Sequence, residues 1–152
     1  MKTTMCFEDL DAWKRARELV NGVYSLCRDS GVAKDFGLRD QIQRASVSVM
    51  SNIAEGFERT GVAEKVQFYN IARASCGEVR SLLYVIEDNF VETKERAGQL
   101  RDLTGDVGRL ASGLIGSTQR RSIAKAGAAM LLILPICYLL ATISTIHLAK
   151  KS

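Results

Sequence analysis

Polar side chains recur at helical spacing in the second quarter of the chain, and these residue types could take part in binding. The set is Gln41, Arg44, Ser48, Asn52, Glu55 and Arg59. Residues three and four apart share a helix face, so the set forms a polar stripe. It runs beside an apolar stripe of Ile42, Ala45, Val49 and Ile53. Such a row suits a partly buried polar network, a seam between subunits or a ligand groove, and the residue types leave all three open.

A seam between subunits is the interpretation we prefer for this stripe. A buried arginine or glutamate without a partner is costly, so the side chains should pair within the chain or across a subunit boundary. Gly56, which follows the stripe, permits another helix to approach closely, or loosens the helix before its end. The residues predicted to form an oligomer interface or a polar network are Gln41, Arg44, Ser48, Asn52 and Glu55.

Residues for enzymatic chemistry do not form a recognisable set. The single histidine, His147, lies in an apolar C-terminal segment, and no cysteine or serine has an identifiable base partner. The glutamates lack the Glu-x-x-His partner of a di-metal bundle site. The four cysteines are far apart without a C-x-x-C pair, which indicates reduced thiols rather than a zinc site or a disulfide framework. We therefore predict no enzyme activity, no cofactor, no metal and no small-molecule substrate.

Basic residues on the second and third predicted helices are the candidates for nucleic-acid contact. They are Arg39, Arg44, Arg59, Lys65, Arg73 and Arg80. A bundle that aligned them would present a phosphate-contacting surface. Acidic residues share these helices, so exposed ion pairs are the alternative. The formal net charge is +4, yet residues 1–121 hold 18 basic and 17 acidic residues, so binding would depend on arrangement rather than on total charge.

Four segments with apolar residues three and four apart predict four helices. The stripes are Leu10, Trp13, Ala16, Val20, Val23 and Cys27 in the first; Phe68, Ile71, Ser75, Val79, Leu82 and Ile86 in the third; and Leu100, Leu103, Val107, Leu110 and Leu114 in the fourth. The second helix is expected from near Leu38 to about Phe57, with Thr60 as the cap of the third. Short connections favour an all-α, antiparallel up-down four-helix bundle over residues 1–120.

An apolar tail follows at residues 121–152 and predicts an additional helix. Residues 126–149 carry no formal charge, and at about 1.5 Å per residue they are long enough to cross a hydrocarbon core of roughly 30 Å. The alternative is a fifth segment that packs on the bundle or on a partner chain. The N terminus has acidic residues where a signal peptide needs an apolar stretch, so we expect a cytoplasmic protein that is anchored, if at all, by this tail.

An ordered set of motifs resembles a known family. The residues are Phe7-Glu-Asp-Leu10 with Trp13 and Ala16; Phe36-Gly-Leu38; Gln41; Arg44-Ala-Ser-Val-Ser48; Asn52-Ile-Ala-Glu-Gly-Phe57 with Arg59; and Phe68, Ile71-Ala72 and Ser75 to Glu78. They resemble four-helix bundle proteins encoded in intervening sequences of bacterial large-subunit (23S) ribosomal RNA genes. The resemblance covers roughly residues 7–90. The sequence departs from the family pattern at Met50 and Ala74, and the tail lies outside the resemblance.

The resemblance implies a bacterial homo-oligomer, a ring-like pentamer, without enzymatic activity. Accessory variability proteins of retroelements are similar in fold and engage nucleic acid through a basic pentameric surface, which would assign that role here to Arg44, Arg59 and Arg73. We therefore predict a self-associating scaffold or adaptor that contacts structured RNA. The alternative is a membrane-tethered interaction module that is anchored through residues 126–149.

Overall fold

The protein is helical throughout the part that the structure describes. A computed structural model describes residues 6–149, and for Lys125 and residues 128–149 it describes the backbone alone. The α-helices are α1 (Asp11–Arg28), α2 (Phe36–Glu58), α3 (Val62–Asn89) and α4 (Lys94–Ala149), and the short 3-10 turns are Phe7–Asp9, Gly31–Lys34 and Val91–Thr93. No strand occurs among residues 6–149. The predicted all-α class with four helices in the bundle is confirmed, whereas the up-down order stays a prediction.

Helix α2 has its start and its end fixed by side chains. At the start, Asp35 Oδ1 accepts a hydrogen bond from the Leu38 backbone N–H at 3.0 Å, which satisfies one of the unpaired donors of the first turn. At the end, the Lys65 ammonium group donates to the Phe57 carbonyl oxygen at 2.6 Å. A cation at the carboxyl end of a helix also interacts favourably with the helix dipole. The helix begins two residues before the predicted Leu38 and ends one residue after Phe57.

The hydrophobic core receives side chains from every helix. Its fully buried members include Ala16, Leu19, Val23 and Leu26 of α1; Ile42, Val49 and Ile53 of α2; Ala72, Val79, Leu83 and Ile86 of α3; and Ala97 and Val107 of α4. The predicted stripe of α2 is confirmed in full, because Ile42, Ala45, Val49 and Ile53 are all buried. The spacing of large apolar residues therefore gave the correct inner face of this helix.

The predicted core stripes of α3 and α4 were wrong at one edge. In α3, Ile71 is 39% exposed, while Ala72 and Cys76 are buried in its place. In α4, Leu110 is 36% exposed, while Ala111 is buried. Tyr69 and Leu83 are buried as well, each next to a predicted residue that is only half-buried, so the inner face of α3 is rotated by about one residue from the predicted one. Trp13, predicted to be a core anchor, is half-buried at the edge of the core, where its ring contacts Phe7.

The predicted additional C-terminal helix is not a separate element. Helix α4 continues from Lys94 to Ala149, and the sequence around residue 121 holds no proline that would end it. The contacts nevertheless divide the chain into two compact units, Met1–Thr118 and Gln119–Ser152. Within the part of the chain that the structure describes, no helical stretch combines the length and the apolar character that a membrane span requires. The predicted span, residues 126–149, lies almost wholly outside the described side chains.

Candidate functional site

Part of the polar stripe of α2 forms a hydrogen-bonded network that reaches α3. The Ser48 and Ser75 hydroxyl oxygens are 2.9 Å apart, and either group can donate. The Asn52 side-chain amide donates to the Ser48 carbonyl oxygen at 2.7 Å and lies 3.1 Å from the Ser48 hydroxyl oxygen. Ser75 is buried, whereas Ser48 and Asn52 are half-buried. We call this set, with its flanking contacts, the α2–α3 seam.

Two contacts extend the seam toward its ends. The Gln41 side-chain amide donates to Glu78 Oε1 at 3.3 Å on the exposed side. At the other end, Arg59 forms an ion pair with Glu55, one turn earlier in α2, and its guanidinium carbon lies 4.6 Å from the centroid of the Phe68 ring. The polar contacts between α2 and α3 therefore lie near the middle of α3, and the Arg59–Phe68 contact lies toward the start of α3. Among the described side chains, no buried polar atom lacks a hydrogen-bond partner.

Gly56 sets the spacing of the two helices at the end of α2. A Cβ atom at this position would lie 2.6 Å from Cε1 of Tyr69 and 3.2 Å from Cβ of Phe68. Tyr69 is only 3% exposed, and burial raises the pKa of its hydroxyl group. The ring therefore has little room to move away. The prediction that Gly56 permits close approach of another helix is confirmed, and that helix is α3.

Arg44 does not contact α3; it lies on the outer face of α2. It pairs with Asp40 at 2.8 Å, and the two side chains are 72% and 58% exposed. Both line an open groove of about 410 Å³ together with Tyr24, Gln43, Val47, Ser48 and Ser51. Tyr24 and Val47 were not predicted as site residues, because neither belongs to a core or polar stripe. In the sequence, these two residues could have been recognised as apolar side chains that lie outside the predicted core face.

The six basic candidates serve different purposes in the structure. Arg39 donates to the Ala33 carbonyl oxygen at 3.1 Å and lies over the Phe36 ring, so it holds the turn before α2. Lys65 contacts the end of α2, and Arg44 and Arg59 have carboxylate partners. Arg73 and Arg80 of α3 are exposed and make no hydrogen bond or ion pair with any residue that the structure describes. Of the six candidates, these two guanidinium groups have no partner among the described residues that would compete with an external anion.

The described side chains hold no arrangement of groups for metal-dependent chemistry. No three His, Cys, Asp or Glu residues lie close enough to hold a metal ion in this part of the chain. Desolvation by burial raises the pKa of the Cys27 and Cys76 thiols to about 11 each. Raised thiol pKa values oppose the thiolate form that acts as a nucleophile or a metal ligand. His147 lies outside the described side chains.

Comparison with known proteins establishes the family. The model of the family described as 23S rRNA-intervening sequence protein matches residues 8–113. The chain belongs to this family. It is also similar to a crystal structure from Bacteroides thetaiotaomicron VPI-5482, a protein of unknown function from the S23 ribosomal protein family. The TM-score is 0.58 at 22% identity, over 69% of this chain and 91% of that one, so this likeness supports the fold alone. No curated protein matches.

The contact at Gly56 yields a prediction about stability. Gly56→Ala should lower the free energy of unfolding by about 1–2 kcal/mol, because overpacking against Tyr69 outweighs the gain in helix propensity. Gly77→Ala is the matched control on α3, since nothing lies within 4 Å of a Cβ atom there, and it should raise stability by about 0.5–1 kcal/mol. Urea unfolding of both variants measures this. A Gly56→Ala variant as stable as Gly77→Ala would contradict the tight contact.

Burial of the cysteines yields a prediction about reactivity. At pH 8, a thiol with a pKa of about 11 is ionised to roughly one part in a thousand, so Cys27 and Cys76 should react with iodoacetamide far more slowly in the folded chain than in urea. Raising the pH through 9 and toward 11 should accelerate both reactions, because this increases the thiolate fraction. Peptide mass spectrometry follows each site, with exposed Cys6 as the accessible reference. If Cys27 were labelled as fast as Cys6, the prediction that burial protects this thiol would be refuted.

Proposed function

We propose that this protein is a non-enzymatic, self-associating helical scaffold that contacts structured RNA. One observation carries the proposal: polar groups of the α2–α3 seam are paired inside the chain, while charged groups on the outer faces of the same helices remain exposed. Arg44, Arg73 and Arg80 are exposed, and so is Glu78, which accepts a hydrogen bond at the exposed side of the seam. Exposed charges without apolar neighbours would indicate only a solvated surface. Here exposed apolar side chains such as Ile71 lie on the same helices as the exposed charges.

Self-association is the first part of the proposal. In it the four helices form an antiparallel up-down bundle, and copies assemble into a closed homo-oligomer, with the pentamer as the state that the family resemblance implies. Protein interfaces combine an apolar centre with a charged rim. The outer faces of α2 and α3 supply both kinds of group, since Val47 is 36% exposed next to Arg44 and Ile71 is 39% exposed on α3.

RNA contact is the second part, and it is assigned to α3. Arg73 and Arg80 are seven residues apart, which is two helical turns, so they lie on one face about 10 Å from each other. Neither has a described carboxylate partner that would compete with phosphate. Arginine binds phosphate through several N–H donors held in one plane. The name of the family refers to 23S rRNA, which supports RNA as the nucleic acid to test first.

Salt-titrated RNA binding tests the second part. The double variant Arg73→Ala/Arg80→Ala should bind a labelled RNA hairpin more weakly and should reduce the slope of log affinity against log salt by about two phosphate contacts. Arg28→Ala is the matched control, because Arg28 is similarly exposed at 72% but lies on α1 beside Asp29. Equal slopes of log affinity against log salt for the double variant and for Arg28→Ala would exclude Arg73 and Arg80 from the RNA contact. Binding that does not depend on salt would exclude the RNA role.

Molecular mass in solution tests the first part. The full-length chain should give a defined multiple of 16.7 kDa by light scattering, and a pentamer would have five times that mass, about 84 kDa. The measurement is repeated in a mild detergent, because aggregation through apolar residues 126–149 is sensitive to detergent whereas a polar-rimmed interface persists. A protein mass of 16.7 kDa in both conditions is the mass of one chain and would contradict self-association.

A further inference from the structure

Two exposed faces of this chain match each other in spacing. The first, the acceptor face, consists of Asp40, Arg44, Val47 and Ser51 on α2, with Tyr24 of α1 beside them in the groove. The second, the ridge, consists of Ile71, Ala74, Glu78, Ser81 and Val85 on α3. Steps along the acceptor face are four, three and four residues, and steps along the ridge are three, four, three and four. Each set therefore keeps to one side of its helix.

The faces also match in charge and size when the two helices run antiparallel. Setting Arg44 opposite Glu78 places Val47 opposite Ala74 and Ser51 opposite Ile71, since each step advances both helices by nearly the same length. The same register places Asp40 opposite Ser81, a hydroxyl donor. A basic group thus meets an acid, and an exposed valine meets a small residue.

Both charged partners have unused hydrogen-bonding capacity. Arg44 uses one nitrogen, Nη1, for its contact with Asp40, and a guanidinium group has five N–H donors. Glu78 accepts one hydrogen bond, from Gln41, and a carboxylate has about four acceptor positions. The pair can therefore form between chains without breaking the contacts that each residue makes within its own chain.

We infer that the acceptor face of one copy binds the ridge of the next copy, with Arg44 paired to Glu78 across the interface. The inference rests on the self-association proposed above and names its two surfaces. Because the two surfaces differ, the contact is heterologous. An open assembly has one free acceptor face at one end and one free ridge at the other, and ring closure pairs them. This match in charge and spacing indicates that the partner of each face is a second copy of the same chain. The α2–α3 seam joins the two helices that carry these faces.

Disulfide trapping between full-length variants tests the pairing. Val47→Cys is coexpressed with Ala74→Cys, each in a Cys6→Ser/Cys137→Ser background and carrying different mass tags. Mild oxidation should join the two variants at least about tenfold more than it joins Val47→Cys to an Arg28→Cys control, because opposed cysteines have a high effective concentration. Dominant Val47→Cys homodimers would overturn the inference in favour of a two-fold contact.

The mass of each mixture separates this inference from the broader proposal. An intact oligomer without the Val47–Ala74 crosslink would overturn the pairing while self-association stands, whereas a monomeric mixture would overturn both. Charge reversal gives a second measurement. Arg44→Glu alone and Glu78→Arg alone should each weaken assembly at least about tenfold, and the double variant should restore it. Failure of the double variant to recover assembly would count against the Arg44–Glu78 pair.

Discussion

The close approach of α2 and α3 is the constraint on which the rest of the arrangement depends. Gly56 lets the Tyr69 ring lie against the α2 backbone, and Lys65 reaches back from α3 to the last carbonyl groups of α2. With the two helices at this separation, Ser48 and Ser75 lie within hydrogen-bonding distance. A larger residue at position 56 would separate the helices and leave the partly buried hydroxyl groups without partners, which costs more than the bonds contribute.

Two arginines of α4 join this helix to its neighbours. Arg101 pairs with Glu87 and lies over the Tyr84 ring, so it joins α4 to α3. Arg96 donates to the Ser25 hydroxyl at 2.9 Å, which joins α4 to the end of α1. Exposed pairs of this kind contribute little energy each, and the half-buried Arg101 pair contributes most. These two arginines therefore have partners within the chain and join α4 to its neighbours.

Much of the fold followed from the sequence, and the exceptions have a common physical cause. The core face of α2, its bounds and the role of Gly56 were predictable, because a strict apolar period lay beside a strict polar one. Ile71 and Leu110 were misplaced because helices that pack on two neighbours bury small residues along the inner face, and alanine gives a weak hydrophobic signal. The sequence also did not predict which residues of the polar stripe contact α3 and which face outward. That depends on the rotation of α2 about its axis.

The central claim is that the α2–α3 seam closes within one chain and leaves the outer faces to act between chains. A double-mutant cycle on Ser48→Ala and Ser75→Ala, repeated across a wide range of protein concentration, tests it most directly. We expect a coupling energy of about 0.5–1.5 kcal/mol that stays constant on dilution, because both hydroxyl groups belong to one chain. A coupling energy that disappears as the protein dissociates would show that the seam lies between subunits and would contradict the account.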